Sequence, residues 1–113
     1  MTYRKYGNTK VTVDGHTFDS KAEAERYCQL RLLERAGVIR GLECQKVYEL
    51  IPAYKKGKKT VRAVKYLADF VYTENGKTIV EDVKGCRTDV YKLKKKLFEW
   101  RYPELEIKEV KVR

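Results

Sequence analysis

Apolar and polar residues alternate along Lys10-Val-Thr-Val-Asp-Gly-His-Thr-Phe18, centred on the turn-forming pair Asp14-Gly15, and predict a small hairpin. The period then changes. Ser20-Lys-Ala-Glu23 has capping-box spacing, in which the serine oxygen takes the amide three residues on, so a helix is expected from here to Gly37. Leu42 to Ile51 is strand-like and stops at Pro52; the basic turn Tyr54-Lys-Lys-Gly-Lys-Lys-Thr60 joins it to a β-branched and aromatic run, Val61 to Tyr72. Thr73-Glu-Asn-Gly-Lys-Thr78 contains an Asn-Gly turn, and Ile79 to Lys84 forms the next strand, ended by Gly85. Asp89 to Arg101 reads as a helix whose apolar stripe is Val90, Leu93, Leu97 and Trp100, closed by Pro103; Leu105 to Val112 alternates again as a last strand. After the hairpin the element order is α, β, β, β, α, β, an α/β (α+β) arrangement in a single domain spanning 1–113, with residues 1–9 as a loose basic arm and no repeat or linker.

At 113 residues, folding buries roughly 65% of the surface of the unfolded chain, enough for one modest core. A hydrophobic content of 42% with 37% charged residues excludes collagen and a wholly disordered tail. No apolar run approaches the roughly 18 residues of a spanning helix, and Met1-Thr-Tyr-Arg-Lys5 leads into no apolar signal segment. The expectation is a soluble protein of the cytoplasm. Lys and Arg number 26 against 16 Asp and Glu, a net charge of +10, and most of the excess falls in residues 51–113, with 17 cations and 9 acids. Such a balance attracts polyanions, nucleic acid before a membrane surface. Cys28, Cys44 and Cys86 have no Cys-x-x-Cys spacing, and His16 is the only histidine, so a zinc site or a histidine base has little to draw on. Any metal should be hard and oxygen-bound.

Hairpin geometry supplies the sharpest candidate. If Asn75-Gly76 is a two-residue type I′ turn, Glu74 faces Lys77, Tyr72 faces Ile79, Val71 faces Val80, and Asp69 faces Asp82. Two unit charges about 5 Å apart repel by about 3 kcal/mol at an effective dielectric of about 20. A shared divalent cation would offset this, aided by Lys84, two residues beyond Asp82 on the same face. A plainer alternative is an edge hairpin whose acids splay into water. Against it, Ala68, Phe70 and Val71 surround Asp69, and Val80 and Val83 surround Asp82, strands where an unpaired charge is expensive. Acid-x-Lys also occurs at Asp19-Ser-Lys21, Glu106-Ile-Lys108 and Glu109-Val-Lys111, but only Asp82-Val-Lys84 has a preceding strand that places another acid opposite.

This order of elements, with an acid on the second core strand and acid-x-Lys on the third, resembles the PD-(D/E)XK, or restriction-endonuclease-like, nucleases over about residues 18–112. More narrowly, Phe18-Asp-Ser-Lys-Ala-Glu23, Ala68-Asp-Phe70 and Val80-Glu-Asp-Val-Lys84 are similar to short phage and prophage proteins of that superfamily and to the Tn7-type transposase endonuclease subunit. Ala68 stands where the motif has proline, and Asp82 where glutamate is commoner. The resemblance implies a mixed central sheet flanked by helices, and Mg²⁺, with Mn²⁺ as a substitute, held by Asp69, Asp82 and the carbonyl of Val83. Lys84 would orient the attacking water and offset transition-state charge. Glu23 matches the family's first-helix glutamate, a role that competes with helix capping. The implied activity is metal-dependent endonucleolytic hydrolysis of DNA, with branched DNA among the substrates and a homodimer among the assemblies, in a bacterial host cell.

Phosphate contacts are expected from Lys55, Lys56, Lys58 and Lys59 in the basic turn and from Lys92, Lys95 and Lys96 on the second helix, with Arg87 just before it and Gln45 at the rim. DNA is the first partner and RNA the second. Neither helix is expected to combine a basic face with an exposed apolar one, which argues against a membrane. The alternative function is a non-catalytic nucleic-acid-binding or recombination-accessory module.

Overall fold

The computed structural model describes residues 9–83 and 87–111. Lys84, which carries part of the expected site, lies outside the described residues, as do Cys86 and the first eight residues of the expected arm. The first hairpin forms as expected: β1 (Val11–Val13) and β2 (His16–Phe18) meet at Asp14-Gly15, whose φ values of 51° and 80° are those of a type I′ turn. Helix α1 (Lys21–Arg35) starts on Ser20, whose Oγ accepts the amide of Glu23 at 3.2 Å. It ends at Gly37, in the left-handed region at φ 80°, with Val38 N–H donating to Leu33 and Gly37 N–H to Glu34, the paired bonds of a Schellman motif.

The central sheet is mixed and four-stranded, in the order β3 (Arg40–Ile51), β6 (Val64–Glu74), β7 (Lys77–Val83), β8 (Ile107–Val110). Between β3 and β6 lies a second small hairpin, β4 (Tyr54–Lys56) and β5 (Lys59–Val61), where the sequence suggests only a turn. Gly57, at φ 64°, occupies the first central position of a two-residue II′ turn, and this lets the lysines pair as strands. Asn75-Gly76, with φ of 52° and 77°, makes the expected I′ turn between β6 and β7, and the ladder runs from Glu74↔Lys77 to Phe70↔Glu81 in the register derived from it. Strand β8 is parallel to β7 and is reached through α2 (Asp89–Arg101); it is shorter than expected, because Leu105 is drawn into a turn, its N–H donating to Tyr102 O at 2.9 Å.

Each face of the sheet has its own core. Under α2 lie Tyr48, Leu50, Tyr66, Ala68, Val71, Val80, Tyr91, Phe98 and Ile107; under α1 lie Phe18, Ala24, Tyr27, Leu30, Ile39, Phe70 and Tyr72. This partition reveals a change of phase. Tyr66 and Ala68 face α2, yet Phe70 and Tyr72, of the same parity, face α1; on β3, Leu42 and Cys44 pack toward α1 whereas Tyr48 and Leu50 lie under α2. Both strands change phase where Gln45 and Asp69 come level, the one step missing from the ladder between Cys44↔Phe70 and Lys46↔Ala68. Gln45 has φ 56°, a left-handed backbone that breaks strict alternation.

The apolar stripe expected on α2 is not its buried face. Val90, Leu93 and Trp100 stand 65%, 59% and 76% exposed, and the helix seats itself through Tyr91 and Phe98, with Leu97 packed at the core margin. The aromatic ring of Phe98, edge-on to Tyr48 at 5.0 Å and to Tyr66 at 5.4 Å, sets the helix's rotation. Consequently α2 does present apolar residues beside exposed Lys92 and Lys96, contrary to expectation.

Candidate functional site

Asp82 is on the α2 face of β7, next to Val80, and only 3% exposed. Tyr66 Oη donates to its Oδ2 at 2.5 Å, a contact made possible by the phase change that brings Tyr66 onto this face. Asp69 sits at the phase change, one step past the Phe70↔Glu81 pair, and its carboxylate turns toward β7, where Oδ2 accepts the N–H of Val83 at 2.7 Å. Burial raises the Tyr66 phenol far above its ordinary value, followed by the Asp82 hydrogen bond and charge; Tyr91 and Asp69 add to the effect. Tyr66 therefore remains a donor to Asp82. Hairpin register led to the expectation that Asp69 and Asp82 come together on one face; in the structure Asp82 is bound to Tyr66, and Asp69, at the phase change, is bound to the amide of Val83, the residue after Asp82.

Beyond them, at the start of α2, Thr88 caps the helix, its Oγ1 accepting Tyr91 N–H at 3.1 Å. Tyr91 Oη donates to Glu109 Oε2 at 2.8 Å, and Arg87 Nε is 3.4 Å from the same oxygen. Burial first, then the Glu109 bond and the charge of Asp82, push the Tyr91 phenol up. Arg87 thus has a carboxylate partner on β8 as well as open access to solvent.

On the opposite face, Glu81 is fully buried and gripped by Arg26 of α1, Nε to Oε1 at 2.8 Å and Nη2 to Oε2 at 2.6 Å, with Tyr72 Oη donating to the same carboxylate. The bond to Glu81 holds the Arg26 guanidinium above its ordinary value against the opposing effect of burial. This triad fixes α1 to the strand that carries Asp82.

Glu23 is half-buried in the first turn of α1. Among the described residues no three of His, Cys, Asp and Glu gather into a group able to hold a metal ion, so Glu23 does not complete a three-acid set with Asp69 and Asp82. Gln45 is exposed, and its Nε2 donates to Thr17 O at 3.1 Å, tying the first hairpin to β3. Lys55, Lys56, Lys58 and Lys59 are exposed on the β4–β5 hairpin, and Lys92 and Lys96 on α2, whereas Lys95 is bound to Glu99 at 2.9 Å. Tyr66, Tyr91 and Glu109 escape a reading of the sequence: alternation carried through β6 puts Tyr66 on the far face, and no local pattern announces a phase change at a glutamine. Glu81, adjacent to Asp82, carries a signal in its position within an apolar strand.

No helix among the described residues is long and apolar enough to cross a membrane. No curated protein and no solved structure matches the chain. Residues 3–112, nearly the whole chain, match the family described as Protein of unknown function (DUF1064), and the chain belongs to that family.

Proposed function

We propose that the protein is a Mg²⁺-dependent endonuclease acting on DNA. The observation that carries this reading is that Asp69 accepts the amide of Val83, the residue that follows buried Asp82, whose own carboxylate is held by Tyr66. Two acids at neighbouring positions of adjacent strands would oppose each other's charge, and a hard divalent cation would offset that opposition. The donors suit such a cation: carboxylate oxygens from Asp69 and Asp82, and the carbonyl of Val83, which in a regular antiparallel ladder faces the same neighbour as the N–H that Asp69 accepts. Bound Mg²⁺ would lower the pKa of water and polarise a phosphoryl oxygen. The chain's own contributions are positional. Tyr66 holds one carboxylate oxygen of Asp82 and the Val83 amide one of Asp69, which orients both acids. Lys84, two residues after Asp82 in sequence, is assigned to charge developing on the phosphoryl oxygens while the P–O bond breaks. The net charge of +10 favours a polyanionic substrate.

Plasmid, branched and single-stranded DNA incubated with Mg²⁺ test the proposal directly. Cleavage by the wild type, lost in Asp69→Asn, Asp82→Asn and Lys84→Ala, is expected; unchanged cleavage in Asp82→Asn and Lys84→Ala overturns the site. A cation that binds only the native state also adds about 2.7 kcal/mol of stability at a hundredfold excess over Kd, and so raises Tm. Melts that Mg²⁺ and Mn²⁺ leave unmoved, with Asp69→Asn more stable than wild type, point instead to a non-catalytic nucleic-acid-binding module.

A further inference from the structure

The β3–β6 ladder does not end at the sheet. Its last pair, Ile51↔Val64, and the pairs Tyr54↔Val61, Lys55↔Thr60 and Lys56↔Lys59 share one register, interrupted at Pro52, which has no N–H to donate. Beyond the last β6–β7 pair, Phe70↔Glu81, the two strands continue from Lys46↔Ala68 as a two-stranded ribbon, with a register shift between Glu49 and Ile51 and an interruption at Pro52-Ala53 and Arg62-Ala63, whose tip is the β4–β5 hairpin. Every residue from Ile51 to Thr60 is exposed, so the tip stands clear of the domain. Between Glu49 and Asp69 the sequence holds Lys55, Lys56, Lys58, Lys59, Arg62 and Lys65 and not one acid. Among the described residues no ion pair engages these six cations.

The distribution of charge over the ribbon selects a shape of partner. Tyr54, Lys56, Lys59 and Val61 share one face, and Lys55 and Thr60 the other, so cations leave both faces and the turn. A flat anionic surface meets only one face; a groove walled by phosphates on two sides meets both. Lys56 and Lys59 are directly opposed, an arrangement that disfavours the isolated hairpin and that an interposed phosphate relieves. The major groove of B-DNA, about 12 Å wide and about 8.5 Å deep, admits a two-stranded ribbon, and the stretch from Pro52 to Gly57 reaches about 20 Å. The major groove of duplex RNA is too narrow and deep for the same fit.

We infer that the Tyr54–Val61 hairpin is an arm that enters the major groove of duplex DNA, with Lys55, Lys56, Lys58 and Lys59 on the flanking phosphates. The inference deepens the proposed nuclease function by assigning it a double-stranded substrate, and it rests on that reading. The arm positions the duplex and supplies backbone contacts, so it carries little base preference.

Binding of the full chain in EDTA tests it without cleavage. Fluorescence anisotropy is recorded with a DNA duplex of about two helical turns (~20 bp), the same sequence as duplex RNA, its single strand, and anionic phosphatidylserine vesicles, between about 50 and 200 mM salt. Lys55→Ala/Lys56→Ala/Lys58→Ala/Lys59→Ala removes the arm's charge; Lys21→Ala/Lys77→Ala/Lys108→Ala/Lys111→Ala removes as much from exposed positions elsewhere. The arm variant should keep the wild-type melt, weaken duplex DNA binding at least tenfold, and flatten the salt slope by about 3 to 4, near 0.9 per phosphate lost. The scattered variant should change the slope by under about 1, since phosphates not contacted release no counterions. Equal losses in the two variants, equal losses on duplex RNA and single strands, or an arm needed for vesicles and not for DNA overturns the inference. If no variant or wild type cleaves while the arm's effect on duplex binding persists, the nuclease reading fails and the arm stands.

Discussion

The Tyr66 hydroxyl and the Asp82 carboxylate meet across two strands at 2.5 Å, on the face that Tyr66 reaches only because β6 changes phase between Ala68 and Phe70. A hydrogen bond to a charged group contributes about 1.5–3 kcal/mol, so Tyr66→Phe should lower stability by about that amount at neutral pH. The ring and its packing on Phe98 are retained, which confines the loss to the hydroxyl. Urea denaturation measures it. A loss under about 0.5 kcal/mol would show that the bond is exchanged for an equivalent one with water. On the proposed function the same variant should cleave DNA more slowly, since Asp82 loses the group that orients it.

Arg26 and Glu81 form the other buried polar pair, and they are coupled more tightly. Glu81 is 0% exposed and the Arg26 side chain 15% exposed, so removing the guanidinium leaves a carboxylate in the core held by the Tyr72 hydroxyl without a cation beside it. Arg26→Met should destabilise by about 3–5 kcal/mol, the range for breaking a buried ion pair. Arg26→Met combined with Glu81→Leu should recover most of that, because no charge is then left buried. A double variant as unstable as the single one would show that the pair holds α1 by geometry that apolar packing cannot replace.

Much of this fold is legible in the sequence because local chemistry specifies it. Asp14-Gly15 and Asn75-Gly76 fix two I′ turns, Ser20 and Gly37 bound α1, and the register of β6 on β7 follows from the second turn alone. Two features are not legible. The face of α2 misleads because Val90, Leu93, Leu97 and Trp100 form a regular apolar stripe of which only Leu97 reaches the core margin, while the helix is seated by the rings of Tyr91 and Phe98 in the core with Tyr66 and Val80. The surroundings of Asp69 and Asp82 are legible only in part. The strand positions of the two acids follow from the turn, but the tyrosine that holds Asp82 reaches its face through the phase change level with Gln45, whose left-handed angle glutamine is not predisposed to adopt.

That angle makes its own prediction. A non-glycine residue in the left-handed region costs about 1–2 kcal/mol, and a β-branched one more, so Gln45→Val should destabilise by at least about 1 kcal/mol. Gln45→Gly removes the strain and loses only an exposed bond to Thr17 O, and should be within about 0.5 kcal/mol of the wild type or above it. If Gln45→Val proved harmless, the phase change would not depend on this backbone angle. The Tyr66–Asp82 contact offers a second readout, since Gln45→Val should also weaken it and make Tyr66→Phe less costly in that background.

Alkaline titration reaches the two tyrosines around the candidate site together with Tyr72 across the sheet. Tyr66, Tyr72 and Tyr91 each have phenols raised above the ordinary value, by burial first and then by bonds to Asp82, Glu81 and Glu109. The unfolded chain ionises these groups near pH 10, whereas the folded chain holds the protons to higher pH. The native state therefore binds more protons than the unfolded state above pH 10, and stability falls as pH rises. The contribution is fully present below about pH 10 and is lost as the pH climbs toward the raised folded values. Of the 9 tyrosines, these three should remain protonated at about pH 11, and tyrosinate absorbance should show a late, cooperative step that coincides with loss of the fold. Tyr66→Phe and Tyr91→Phe should each reduce that step by one tyrosine and make the alkaline limb of the stability curve shallower. A titration in which all nine ionise together near pH 10, with the circular dichroism of the fold intact, would mean that water reaches Tyr66 and its bond to Asp82.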